Sequence, residues 1–99
     1  MEYFTHVSGN TCILQMKGRF TFNDNQKFKT IINLLDQPDI RTIALDFSHV
    51  DFIDSAALGM LLLLRDEAQK QDIRISLQNP NGQIQKIFEL TKINQLFLS

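Results

Sequence analysis

The sequence predicts an α/β fold: one small domain over residues 1–99, with a mixed sheet of four to five strands and helices mainly on one face. Three observations predict it. Short apolar or alternating stretches recur at strand length. Stretches of helical spacing lie between them, and this alternation over the last two thirds of the chain implies crossovers and parallel pairing. At 99 residues the chain can build one core and too few strands for two full helical layers.

The elements follow in order. Tyr3 to Val7 reads as a short strand, and Ser8-Gly9-Asn10 as its turn. From Thr11 to Lys17 the side chains alternate, with Cys12, Leu14 and Met16 on one face; this second strand pairs with the first as a hairpin, and Gly18 ends it. The period then changes. Asn23 or Asp24 caps a helix whose stripe is Phe28, Ile31, Ile32 and Leu35, and Pro38 lies just beyond its end. Thr42 to Phe47 (TIALDF) suits a buried strand. A loop from Ser48 to Asp54 follows, and a second helix runs from Ser55 to Gln71. Its first half is apolar around most of its circumference, which calls for cover on more than one side. Ile73 to Leu77 is a third buried-type strand, Asn79-Pro80-Asn81-Gly82 a turn, and Gln83 to Leu90 a third helix. Ile93 to Leu98 closes the chain as a short strand or a further helical turn.

Composition narrows the function. Apolar residues make up 43% and charged residues 21%, the balance of a soluble globular protein. The net charge is −1 and the ten Lys and Arg are scattered, so no nucleic-acid partner and no pull toward anionic lipid are expected. A lone cysteine, Cys12, suits a reducing compartment. The N-terminal residues lack the pattern of a signal peptide. The longest apolar run, Ala56 to Leu64, falls well short of the roughly twenty residues that span a bilayer. A cytoplasmic protein without direct membrane insertion is expected.

Enzymatic signatures are missing. His6 and His49 stand in no metal-ligand spacing with Cys12 or a carboxylate pair. The four glycines are isolated, so there is no phosphate loop, and no serine sits in a nucleophile elbow. Asp46, Asp51 and Asp54 read as solvated or capping groups rather than as a metal site. No catalytic residue, metal or cofactor is expected.

The informative segment is Asp46 to Gly59, where a buried strand leads through a loop to Asp54-Ser55 at the start of an apolar helix. The residues alone are satisfied by a helix cap, with Asp54 or Ser55 accepting from the first free amides. The same position favours an anion, because free amides and the helix dipole converge there. A phosphate on Ser55 would add about −1.5 to −2 charge to a mild surface.

Nearly the whole chain resembles the STAS domain, the family of anti-sigma factor antagonists. The specific part is Asp54-Ser55-Ala56-Ala57-Leu58-Gly59, which is similar to the Asp-Ser-containing start of that family's helix after the apolar strand. Gly18-Arg19-Phe20 resembles the family's turn before the first helix. The acidic residue the family carries after that turn falls here at Thr21, with Asp24 three residues on. The resemblance implies a partner-switching regulator, not an enzyme, with Ser55 as the phosphorylated residue. Unmodified, it would bind an anti-sigma factor or a serine kinase of the GHKL type; the kinase phosphorylates the serine and a PP2C-type phosphatase restores it. Biofilm, motility or stress control are the implied settings. Thr21, Asp24, Asp54 and Ala56 would surround the site. Phe52, Ile53 and the exposed shoulder of the helix, Met60 and Leu63, would contact the partner. The alternative is a non-switching accessory subunit of a lipid-transport ATPase complex or a stress-signalling assembly.

Overall fold

The computed structural model describes residues 1–97. Ten elements follow one another: β1 (Glu2–Ser8), β2 (Thr11–Phe20), a 3-10 turn (Phe22–Asp24), α1 (Asn25–Ile32), a second 3-10 turn (Asn33–Asp36), β3 (Thr42–Ile53), α2 (Ser55–Lys70), β4 (Arg74–Gln78), α3 (Gly82–Thr91) and α4 (Ile93–Leu96). The four strands form one mixed sheet in the order β1-β2-β3-β4. β1 and β2 pair antiparallel, while β2–β3 and β3–β4 pair parallel.

Strand alternation puts the core on one face of this sheet. Cys12 and Leu14 of β2 align with Ile43 and Leu45 of β3, and Ile75 aligns with Ile43 from β4; these, with Met16 and Phe47 beyond them, are all buried. The intervening Ile13, Ala44 and Ser76 point the other way and stay partly exposed. The helices cover the buried face through Phe28 and Ile31 of α1, Ala57, Leu61, Leu64 and Ala68 of α2, and Ile84 and Phe88 of α3. Two aromatic pairs lock helices to strands. Phe20 stacks on Phe28 with centroids 5.4 Å apart, and Phe88 meets Phe47 edge-on at 5.1 Å.

The structure corrects several boundaries. β3 continues through Ser48 to Ile53, where the sequence reads as a loop. From Gln15↔Asp46 to Lys17↔His49, β2 advances two residues and β3 three; from Gly18↔Val50 to Arg19↔Phe52, β2 advances one and β3 two. Each step is a bulge that adds a residue to β3 and resets its alternation. The buried positions therefore run Phe47, Val50, Ile53, a spacing of three that hides the strand from a period-two reading. Gly18 does not end β2. It sits at the second bulge with φ +94°, a conformation glycine adopts at little cost, and β2 continues to Phe20.

The start of the first helix also differs. Thr21 caps the leading 3-10 turn by accepting from the Asn23 N–H at 3.3 Å, and the Asp24 carboxylate turns back to accept the Thr21 N–H at 2.9 Å, forming a capping box. Leu35 falls in the 3-10 turn that follows α1. Residues 93–96 are helical, which decides between the strand and helix readings of that stretch; Leu98 lies outside the described residues.

Candidate functional site

The bulged end of β3 delivers Asp54 to the first turn of α2. Asp54 is extended (φ −105°, ψ 177°), as a capping residue must be, and its Oδ1 accepts the Ala57 N–H at 2.8 Å. Its Oδ2 accepts the Phe22 N–H at 3.1 Å, a bond between residues 32 apart in the chain. Its own N–H donates to the Phe20 carbonyl at 3.3 Å. One aspartate thus caps the helix and ties it to the turn between β2 and α1.

The sequence leaves open whether Asp54 or Ser55 is the cap, and the geometry assigns it to Asp54. Ser55 becomes the first helical residue, with no capping duty and an exposed side chain. Four amides at a helix start lack partners within the helix. Here those of Asp54 and Ala57 are bonded as described, and the Leu58 N–H closes the first turn on the Asp54 carbonyl at 3.2 Å. Among the described residues the amides of Ser55 and Ala56 have no hydrogen-bond partner.

Phe22 is the residue that sequence reasoning missed. Its ring is 65% exposed, although the backbone beneath it is pinned by the capping box and by Asp54. The signal was one of phase: Phe22 precedes Phe28 by six residues, off the stripe that defines α1. An exposed aromatic whose backbone is tied to Asp54 is the kind of group that anchors protein interfaces.

A family model for the STAS domain matches residues 4–99. The chain belongs to the STAS domain family. A STAS-domain containing protein of Pseudomonas aeruginosa strain UCBPP-PA14 is 36% identical over 91 residues, covering 92% of this chain and 89% of that protein. Among solved structures, SpoIIAA, an anti-sigma factor antagonist, is similar in its unphosphorylated form, with a TM-score of 0.71, 22% identity, and 90% of this chain and 83% of that one covered. The phosphorylated form of the Bacillus protein gives a TM-score of 0.73 at 21% identity, over 95% of this chain and 86% of that one. An anti-sigma factor antagonist from Mycobacterium paratuberculosis gives 0.76 at 13% identity, over 98% and 82%.

On this STAS fold the expected site residues divide by exposure. Ser55 is exposed, Thr21, Phe52, Asp54 and Ala56 are half-buried, and Leu63 is 50% exposed. Asp24, Ile53 and Met60 are buried, at 7%, 4% and 8% exposure. Met60 is therefore not on an exposed shoulder: the buried stripe of α2 is Ala57, Leu61, Leu64 and Ala68, and Met60 borders it. Asp24 binds the Met1 amino group at 2.9 Å as well as the Thr21 N–H, so it supports the turn from beneath. Phe52 is covered by the Arg19 guanidinium, 4.2 Å from its ring centre.

Asp46 lies farther back on β3 and serves structure. Burial works to raise its carboxyl, but the Ser48 N–H at 2.9 Å, the Ser48 hydroxyl, Asn79 and Gln15 hydrogen-bond its charged form and hold it below the ordinary aspartate range. Cys12 is buried, and burial pushes its thiol up, away from the reactive thiolate. Among the described residues no three of His, Cys, Asp and Glu come together as a metal site, and no helix is long and apolar enough to cross a membrane.

Proposed function

We propose that this STAS protein is a partner-switching regulator controlled by reversible phosphorylation of Ser55. The observation that carries the reading is the division of labour at the start of α2: Asp54 holds the cap, and Ser55 presents a free hydroxyl on an ordered helix start. Such a group is open to a kinase without unravelling the fold. Half-buried Ala56 follows it, Phe22 and Leu63 are exposed apolar residues on the two elements that Asp54 ties together, and Phe52 lies under Arg19 near the end of β3. In the unmodified state this surface binds an anti-sigma factor or a GHKL-type serine kinase. The phosphate adds about −1.5 to −2 charge next to the Asp54 carboxylate and releases an apolar partner by desolvation and repulsion. A PP2C-type phosphatase resets the site. In this role the chain is substrate and binder, acting in the cytoplasm, and its output lies in biofilm, motility or stress control.

The fold of SpoIIAA, known in phosphorylated and unphosphorylated forms, supports this reading. Affinity capture from the native cell with wild-type, Ser55→Ala and Ser55→Asp proteins tests it, followed by intact-mass analysis of the endogenous protein. The expected result is an anti-sigma factor or kinase held by wild type and Ser55→Ala and lost by Ser55→Asp, with a phosphate mapping to Ser55. Equal affinity of that partner for the unmodified protein and for a verified Ser55 phosphoprotein would overturn it. Capture of a transporter ATPase regardless of Ser55 would instead mark a constitutive subunit.

A further inference from the structure

Among the described residues β4 is an edge strand, with β3 as its one hydrogen-bonded neighbour. The Arg74 N–H donates to the Arg41 carbonyl at 2.9 Å. In a parallel ladder alternate residues turn both backbone groups to the same side. Arg74, Ser76 and Gln78 therefore face β3, and Ile75 and Leu77 present N–H and C=O outward. Outside that edge lies a groove of about 730 Å³, lined by the consecutive residues Arg74, Ile75, Ser76 and Leu77, with Pro80 and Phe97 across from them. Side chains of a strand alternate between faces, so a space touched by four residues in a row follows the edge and not a face. A second space of about 230 Å³ shares Arg74, Ile75 and Phe97 and extends the trough toward Arg65 and Asp72.

The usual devices that blunt an edge are sparse here. β4 contains no proline or lysine, and its pairing with β3 shows no register shift. Its one charged residue, Arg74, is exposed and forms no ion pair among the described residues. Arg65 stands on the opposite wall, but its guanidinium is paired with Asp66 at 3.3 Å and donates to the Leu96 carbonyl, so the exposed Arg74 is the guanidinium left open to an incoming group.

We propose that the outer edge of β4 takes up an extended, acidic peptide segment of another protein as a fifth strand, paired to the backbone of Ile75 and Leu77 and held by Arg74. The outward donor–acceptor pairs recur every second residue, a pattern that an extended backbone matches and a small molecule does not. The exposed, unpaired Arg74 selects acidic side chains.

The test titrates the full-length ¹⁵N-labelled protein with two end-capped octapeptides, one alternating Val and Glu and the other Val and Lys. The Val–Glu peptide is expected to shift the amides of residues 73–78 and to slow hydrogen exchange at Ile75 and Leu77 at least tenfold. The Ser76 amide, already paired with β3, should change little. Arg74→Glu, a change at an exposed side chain, should weaken the Val–Glu peptide at least fivefold, and the Val–Lys peptide should bind wild type at least fivefold more weakly. Absence of protection at Ile75 and Leu77, or equal binding of both peptides, overturns the proposal. So does protection that grows with protein concentration without peptide, since the occupant is then a second copy of the chain. The readout does not involve Ser55, so its failure leaves the phosphoswitch untouched.

Discussion

Removing the Asp54 carboxylate is the sharpest probe of the site, because two residues compete for the cap and the structure gives the role to one. In Asp54→Ala the Ala57 N–H loses its acceptor, at a cost of about 1 kcal/mol for an N-cap. The Phe22 N–H loses its partner as well, and a net hydrogen bond contributes about 1 kcal/mol more. Loss of the negative charge from the helix start adds a few tenths of a kcal/mol. The sum is about 2 kcal/mol, which for a domain of this size lowers Tm by roughly 8–16 °C. Ser55→Ala removes a hydroxyl with no capping bond and should stay within about 0.5 kcal/mol of wild type. Asp54→Ser is the informative intermediate, since serine can cap Ala57 but is too short to reach Phe22, and about half of the loss should return. Urea unfolding at constant m-value measures all three, and the Phe22 amide resonance reports the second bond directly. If Asp54→Ala costs less than about 0.5 kcal/mol while Ser55→Ala costs more than 1, the cap belongs to Ser55 and the argument for a free hydroxyl fails.

Two further outcomes follow from single residues. Gly59 lies inside α2 with open space where a Cβ would stand, so Gly59→Ala should stabilise the fold by about 0.5–1 kcal/mol in thermal or urea unfolding. Asp46 has a folded-state pKa below its unfolded value, so it contributes stability above the unfolded value of about 3.9, and that contribution is lost as pH falls through the folded value. Acid unfolding of Asp46→Asn followed by circular dichroism should show a shallower loss of stability below about pH 4 than wild type.

Much of this fold is legible because one face of each element is buried. The alternation of Cys12, Leu14 and Met16 and the spacing of Phe28 and Ile31 record burial directly, and both are found where the periodicity places them. The second half of β3 is illegible for a definite reason: two bulges break the alternation, and bulges are set by pairing with β2, which no local window contains. Met60 was misplaced because the first half of α2 carries no charged residue to mark the solvent side. Contact with the sheet and α1 decides that Ala57 and Leu61 face inward while Leu63 faces out. Phe22 shows the converse limit, since a sequence can show that an aromatic is out of phase but not that its backbone is pinned.

At the start of α2 the physical account of the cap and the functional account of the switch compete for the same atoms, and the structure separates them. On a serine that capped the helix, a phosphate would take over the cap amides, and the modification would change the stability of the helix start itself. With Asp54 on the Ala57 amide, phosphorylation of Ser55 breaks no hydrogen bond of the cap. The phosphate meets the open amides of Ser55 and Ala56, which the positive end of the helix makes favourable, and the adjacent Asp54 carboxylate, which opposes it. The two terms act against each other at short range, so the stability of the domain should change little between the two forms. On the proposed reading the added charge faces outward at the exposed start of α2, where an apolar partner would dock. The change in free energy then falls on the complex and spares the fold, which is the condition a reversible switch has to meet.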